Sequence, residues 1–315
     1  MQTSAPTPDR APWPGVEQGH RPASTPDRIL QSIDWKIIRR LDGLLQGDYR
    51  SLFYGYGVDL ADLREYQPGD DIRYMDWNVT ARMDTPYIRQ YTEEREVTAW
   101  FLLDLSPSVD FGSLENQKRS VLIDFVTTIA RLLTRHGNRV GAIFYGSRIE
   151  RTIPARGGRI QVLRLVNDLL KQPHLPRATF TNLAQLIGGA LNAIKKRSLI
   201  FVVSDFISAP GWERMLTLLN QHHDVIAVRL WDPSEAELPD IGLVVMEDSE
   251  TGEQVYVDTH DPRFRAQYAE NMRKREAALK DAFKHAGVDV LSLSTGEDLV
   301  RAIVRFAALR ERRKK

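Results

Sequence analysis

Two groups of oxygen-bearing side chains in this chain could do chemistry. The first is spread over three short stretches: Asp104-Leu-Ser106-Pro-Ser108, a threonine pair at Thr179 and Thr181, and Ser204-Asp205. Two carboxylates and several neutral hydroxyls are donors for a hard divalent cation; Mg²⁺ takes octahedral oxygen ligands at about 2.0–2.1 Å and keeps several waters. With so few anions the cation stays electrophilic and favours a further carboxylate from a partner. The second group lies in "QPGDDIRYMDW", residues 67–77, where Asp70, Asp71 and Asp76 crowd together. Grouped carboxylates serve acid–base or metal chemistry. These stand among Arg64, Arg73, Arg82 and Arg89. Neighbouring cations lower carboxylate pKa values and keep the acids ionised. That suits ion pairs and turns better than a general acid. Pro68-Gly69 fits the centre of a type II turn, and Tyr74 and Trp77 can bury area for a small lobe.

The first group matters only if the surrounding elements bring it together. "VTAWFLLDLS" (97–106) and "SLIFVVSDF" (198–206) are near-continuous apolar runs, the pattern of strands covered on both faces. Between them, Val121, Leu122, Phe125, Val126, Ile129, Leu132 and Leu133 recur at helical spacing. Strand-like runs follow at 139–146 and 148–155, joined tightly at Gly146-Ser147, then helices over 159–170 and 182–194. Beyond residue 206 the pattern predicts a helix over 211–221, a strand over 224–232 and a short strand pair at 242–248 and 254–258. A long helix over 262–285, a strand over 288–294 and a helix over 297–309 complete it. This alternation predicts an α/β fold, a doubly wound and mainly parallel sheet, with a small N-terminal helix-plus-β lobe ahead of it. Ligands of such sheets gather at the carboxyl ends of the strands, which is where Asp104, Ser106, Ser108 and Asp205 fall. The rival reading is local: Asp and Ser after a strand cap helices, and Thr181 is a plausible N-cap for the helix that follows it.

Residues 1–27 are rich in Pro, Ser and Thr and read as a disordered leader, with a proline-rich docking peptide as the alternative. A helix is predicted over 26–45 from Ile29, Ile33, Ile37, Leu41 and Leu44. The organisation is then a lobe over 28–96, the sheet domain over 97–309 and a basic tail over 310–315, read as a solvated helix end that suits the helix dipole. The 315 residues include 43 basic and 42 acidic side chains, a net charge of +1 that does not advertise a nucleic-acid surface. There is no cysteine, which excludes disulfides, thiolate metal sites and a cysteine nucleophile. No apolar run approaches the roughly 18–20 residues of a membrane span, and the first residues do not form a signal peptide. A cytoplasmic location is the expectation. "GYGVDL" at 55–60 lacks the third glycine of a phosphate loop, and no Gly-Lys-Ser/Thr loop or Gly-x-Ser-x-Gly elbow occurs. His222 and His223 are adjacent and do not face one another on a helix.

"DLSPS", the Thr181 loop and "VVSDF" resemble the metal-ion-dependent adhesion site of von Willebrand factor A domains. The resemblance implies that Ser106, Ser108 and Thr181 coordinate Mg²⁺ (or Mn²⁺), with Asp104 and Asp205 acting directly or through water. Thr179 is a rival to Thr181. The chain departs from that pattern at Asn182, where an acidic residue is common, and at Phe206, where many such domains have glycine. Residues 59–96, "DLADLREYQPGDDIRYMDWNVTARMDTPYIRQYTEERE", resemble the signature of a bacterial family catalogued as domain of unknown function 58. Its members pair this segment with a von Willebrand A-like domain and are commonly encoded beside MoxR-type AAA+ ATPases. The resemblance implies a role with such an ATPase in chaperone-like remodelling, protein maturation or stress response. With the three-loop oxygen set it gives the expectation of a non-enzymatic protein-binding adaptor whose partner is such an ATPase or its client. Arg64, Asp70, Asp71, Arg73, Asp76, Trp77 and Arg82 would form the lobe or a partner surface. Two rivals remain: a metal-dependent hydrolase, with a lobe carboxylate activating water, and a metal-free scaffold.

Overall fold

Six strands build one sheet, in the order β10-β7-β6-β3-β4-β5. They are β3 (Thr98–Asp104), β4 (Arg139–Tyr145), β5 (Ile149–Arg156), β6 (Leu199–Ser204), β7 (Asp224–Trp231) and β10 (Asp289–Ser294). All neighbours are parallel except β4 and β5, the predicted hairpin. This computed structural model describes residues 62–72, 75–90, 97–112, 117–175, 181–247 and 252–314, with Pro26 and Leu41. The leader, most of the helix predicted over 26–45, Arg73, Tyr74 and Thr179 lie outside the described residues. Leu41 itself is fully buried in the core.

The apolar runs become strands because both faces are covered. Ala99, Phe101 and Leu103 of β3 and Leu199, Phe201 and Val203 of β6 point to one side. There they meet α2 (Lys118–Arg135), α3 (Arg159–Lys171) and α7 (Leu299–Lys314). Leu102 and the alternate residues Ile200 and Val202 point to the other side. They pack on α4 (Leu183–Ala193), α5 (Trp212–His222) and α6 (Pro262–Ala286). The period of two along each strand thus splits one sheet between two apolar layers. Phe101 stacks on Phe201 at 5.2 Å across the β3–β6 pair.

The chain runs from β3 outward to β4 and β5, then crosses back to lay β6 on the other side of β3. That reversal makes the β3–β6 boundary the topological switch point, where the carboxyl ends of doubly wound sheets leave a crevice. Asp104 closes β3, and Asp205 follows the last residue of β6. The short pair β8 (Leu243–Glu247) and β9 (Gln254–Asp258) is an antiparallel hairpin apart from the main sheet, as predicted.

The final helix departs from expectation. It runs to Lys314, and Arg310 is only 2% exposed. Its guanidinium pairs with Asp224 at 2.6 Å and Asp289 at 2.8 Å, at the starts of β7 and β10. Helical spacing does not reveal acceptors so distant in sequence, so the reading of residue 310 as solvated tail is corrected.

Ahead of the sheet, β1 (Asp62–Glu65) pairs antiparallel with β2 (Tyr87–Gln90), with α1 (Trp77–Met83) between them. Pro68-Gly69 forms the predicted type II turn: Asp70 N–H donates to Gln67 O at 3.0 Å, and Gly69 has φ +112°. Trp77 does not bury itself as expected. It opens α1, a helix that buries none of its residues, and is 67% exposed.

Candidate functional site

Three loops converge at the switch point. The first leaves β3 and enters a short 3₁₀ turn, Pro107–Asp110. Asp104 folds back over it, its Oδ1 accepting the Ser106 N–H at 3.1 Å. Its Oδ2 accepts the Ser204 hydroxyl at 2.7 Å, which ties the ends of β3 and β6 together. The Ser106 and Ser108 hydroxyls lie 3.1 Å apart, and Ser106 makes no side-chain cap to the turn. The capping alternative therefore fails for Ser106.

It fails for Thr181 as well. The N-cap of α4 is Asn182, whose side chain accepts the Gln185 N–H at 3.3 Å. Thr181 precedes it, buried, and its carbonyl accepts the Ser208 hydroxyl at 3.0 Å and the Ala209 N–H at 2.9 Å. Those bonds fasten the Thr181 loop to the loop leaving β6. Asn182 N–H also donates to the Tyr145 hydroxyl at 3.2 Å. The loop is held from two sides, and Asn182 serves as the cap of α4.

Phe206 adopts φ +58°, left-handed backbone that favours glycine and costs other residues about 1–2 kcal/mol. The turn lets Asp205 Oδ1 accept the Ile207 N–H at 2.9 Å and Ser204 Oγ accept the Phe206 N–H at 2.8 Å. Aromatic packing offsets the strain: the Phe206 ring meets Trp212 at 5.2 Å and Phe283 edge-on at 4.8 Å. Phenylalanine thus stands in a glycine position without loss of the turn.

Asp104, Ser106, Ser108, Thr181 and Asp205 are all buried, none more than 4% exposed. Burial pushes the Asp104 carboxyl up to about 7, and the Asp205 charge adds to the rise; the bonds from Ser204 and Ser106 oppose it. Two carboxylates that repel one another beside neutral hydroxyls create a demand for positive charge. The donor chemistry fits a divalent cation: Asp104, Ser106, Ser108, Thr181 and Asp205 are the residues that would hold it.

A sixth residue meets part of that demand. Lys118, first residue of α2 and 1% exposed, places Nζ 2.8 Å from Asp205 Oδ2 and 2.6 Å from Glu235 Oε1. Burial alone would lower the Lys118 pKa, but the Asp205 and Glu235 carboxylates outweigh it and hold the ammonium above its ordinary value. Phe111 lies under the ammonium at 5.5 Å. Glu235 ends a 3₁₀ turn, Pro233–Glu235, after β7. Its carbonyl accepts the Tyr268 hydroxyl at 2.9 Å, and Asp232 caps the turn through Ser234 N–H at 2.8 Å.

Sequence reasoning missed Lys118 and Glu235. One signal was available: α2 opens with two basic residues, Lys118 and Arg119, against the preference of a helix N-terminus for negative charge. Both are buried, and both are called there by acids; Arg119 pairs with Asp110 at 3.1 Å.

The lobe acids are placed otherwise. Asp70 takes both ends of the Arg64 guanidinium at 2.8 and 2.7 Å, and also accepts Gln67 N–H at 2.8 Å. Arg64 first, then that amide, holds the Asp70 carboxyl below its usual range. Asp76 is the N-cap of α1, accepting from Asn78 N–H at 3.0 Å and Val79 N–H at 3.1 Å. Asp71 is exposed, and Arg82 is exposed in the last turn of α1. No cluster of three or more His, Cys, Asp or Glu with metal-holding geometry occurs among the described residues.

Fold and site together define a doubly wound, mainly parallel α/β domain carrying an oxygen-rich site at its switch point. The chain belongs to the family described as Protein of unknown function DUF58, which it matches over residues 62–278. It is 34% identical over 283 residues to the uncharacterized protein Rv1480 of Mycobacterium tuberculosis, covering 90% of this chain and 89% of that one. It is 32% identical over 160 residues to the uncharacterized protein MAV169 of Mycobacterium avium, covering 51% of this chain and 94% of that one. Among solved structures it is similar to the conserved hypothetical protein BatB of Bacteroides thetaiotaomicron, with 13% identity, TM-score 0.43, and 69% of this chain and 99% of that one covered. It is similar also to an aerotolerance-related membrane protein of Bacteroides fragilis, with 12% identity, TM-score 0.46 and the same coverage. No helix among the described residues is long and apolar enough to cross a membrane.

Proposed function

We propose that this chain is a non-enzymatic protein-binding adaptor whose β3–β6 edge recognises an acidic side chain of a partner, with Mg²⁺ or Mn²⁺ as cofactor. A MoxR-type AAA+ ATPase or its client is the partner we propose, in protein remodelling, maturation or stress response. The observation that carries the reading is the convergence of Asp104, Ser106, Ser108, Thr181 and Asp205, from three loops, in one buried place. The cation, when bound, supplies an electrophilic centre for an incoming carboxylate. The chain's own residues do the rest. Ser204 and the Ser106 amide orient Asp104, the Ser208 bond fixes Thr181, and the left-handed turn at Phe206 aims Asp205. The lobe acids support binding over hydrolysis. Asp70 is neutralised by Arg64 and Asp76 is spent on two amides, so neither is poised as a base.

The test is co-purification of the tagged chain from its own cells in Mg²⁺ and in EDTA, with the bound proteins identified. An AAA+ ATPase retained in Mg²⁺, lost in EDTA and lost in Asp104→Ala/Ser106→Ala is the expected result. Retention that ignores both metal and substitution overturns the reading. Metal-dependent turnover of a phosphoester, abolished by Asp205→Ala, would replace it with the hydrolase.

A further inference from the structure

Each oxygen of Asp205 is already engaged: Oδ1 with the Ile207 N–H at 2.9 Å, Oδ2 with the Lys118 ammonium at 2.8 Å. The same ammonium reaches Glu235 Oε1 at 2.6 Å. Glu235 is the outward member of this triad, with 26% of its side chain exposed against 1% for Lys118 and Asp205. The arrangement therefore repeats, inside the chain, what a cation-dependent recognition site does with a partner. Asp205 is the anchoring acid, Lys118 is the positive centre, and Glu235 is the carboxylate received from outside.

We propose that Lys118 is a tethered rival of the divalent cation, with Glu235 as a built-in substitute for the partner's carboxylate, so that the metal enters only when Lys118 leaves Asp205. The inference rests on the adaptor reading and adds its regulation. Like charges placed within a few ångströms in a dry site repel strongly, so the ammonium and a dication do not share Asp205. Lysine suits such a role where arginine would not: its head is a compact point charge on a flexible stem, free to be redirected. Glu235 holds it in place, and the Tyr268 hydroxyl holds the Glu235 backbone. Withdrawing Lys118 frees the Asp205 oxygen and Glu235 in one movement. The closed form is thus selected by the chain itself, and the open form by metal and partner together.

The experiment is Mn²⁺ titration of the purified full-length chain, stripped with EDTA and dialysed, read by the loss of the free Mn²⁺ electron paramagnetic resonance signal. Lys118→Met, close to lysine in length but uncharged, should bind Mn²⁺ at least ~10-fold more tightly than the parent, as expected for removal of a neighbouring unit charge. Asp205→Ala in that background should abolish the gain. Glu235→Gln, which leaves Lys118 one anion fewer, should tighten binding by a smaller factor and serves if Lys118→Met does not fold. Equal Mn²⁺ affinity in the parent and the folded variants, no binding in any of them, or a gain that survives Asp205→Ala overturns the proposal. The adaptor reading fails by a different route: Mn²⁺ binds as described, yet no AAA+ protein is retained.

Discussion

Two buried cations sit at opposite ends of the same sheet, each bridging two acids that are far apart in sequence. At the amino ends of the strands, Arg310 joins Asp224 of β7 to Asp289 of β10, with Nη2 2.6 and 2.7 Å from the Asp224 oxygens and Nε 2.8 Å from Asp289. At the carboxyl ends, Lys118 joins Asp205 to Glu235. The first bridge is a planar fork matched to fixed acceptors, the geometry that makes arginine a structural clamp. The second is a point charge beside Asp104, Ser106, Ser108 and Thr181, donors suited to a cation. One cation completes its surroundings, and the other competes for them. Similar burial therefore serves two ends, and the chemistry of the neighbours decides which.

The largest effect should separate the two bridges. Lys118→Met leaves the Asp205 carboxylate, 1% exposed, without its cation in the metal-free chain. Removing one partner of a buried pair costs about 3–5 kcal/mol. Urea unfolding in EDTA should show that loss, and saturating Mn²⁺ should restore much of it, because a ligand that binds only the folded form stabilises it. A variant equally unstable with and without Mn²⁺ would make Lys118 a clamp like Arg310 and erase the contrast.

Asp104 comes next. Its folded pKa, about 7, lies above the ordinary carboxylate value, so folding takes up a proton. The sign follows: this group's contribution to stability falls as pH rises from about 4 to about 7 and is level above. Asp104→Asn should therefore gain on the parent across that window by on the order of 4 kcal/mol in EDTA. Mg²⁺ should close or reverse the gap, since only the parent keeps the carboxylate for it. Urea melts at pH 5, 7 and 8.5 with and without Mg²⁺ are the measurement; a pH-independent gap would mean that Asp104 is ionised and satisfied throughout.

Arg310→Met should cost about 2 kcal/mol, below the range for a fully buried pair because Asp224 and Asp289 remain about a quarter exposed to water. No metal should restore it, and Mn²⁺ affinity should not move. If affinity falls with stability, the two ends of the sheet are coupled and the comparison breaks.

How much of this was legible in the sequence follows the same division. The buried strands were plain, because cover on both faces leaves continuous apolar runs such as Trp100–Leu103 and Ile200–Val203. The site loops were legible from the strand ends, because a doubly wound sheet dictates where its crevice lies. Pro68-Gly69 announced its turn because only glycine accepts φ +112° cheaply. The pairing of Lys118, Glu235 and Arg310 was not legible. Lys118 stands 87 positions from Asp205 and 117 from Glu235, and Arg310 stands 86 from Asp224 and 21 from Asp289; only the folded sheet brings them together. Trp77 was misread for a related reason: an aromatic residue promises buried area, but a helix of seven residues with no buried face cannot supply a place for it.

The smallest effect concerns the lobe and tests the comparison from the side of the acids. Asp76, 7% exposed, is as buried as many functional carboxylates, yet its Oδ1 accepts two backbone N–H bonds and caps α1. A carboxylate supplied with donors has no want of a cation, unlike Asp104 beside Asp205. Asp76→Ala should cost about 1 kcal/mol, the usual loss of an N-cap, and should speed hydrogen exchange at the Asn78 and Val79 amides. Asp76→Asn should recover most of it, because asparagine caps nearly as well. Mn²⁺ affinity should be unchanged in both. Were it to fall in both, a lobe carboxylate would belong to the metal site, and the hydrolase would regain the acid it lacks.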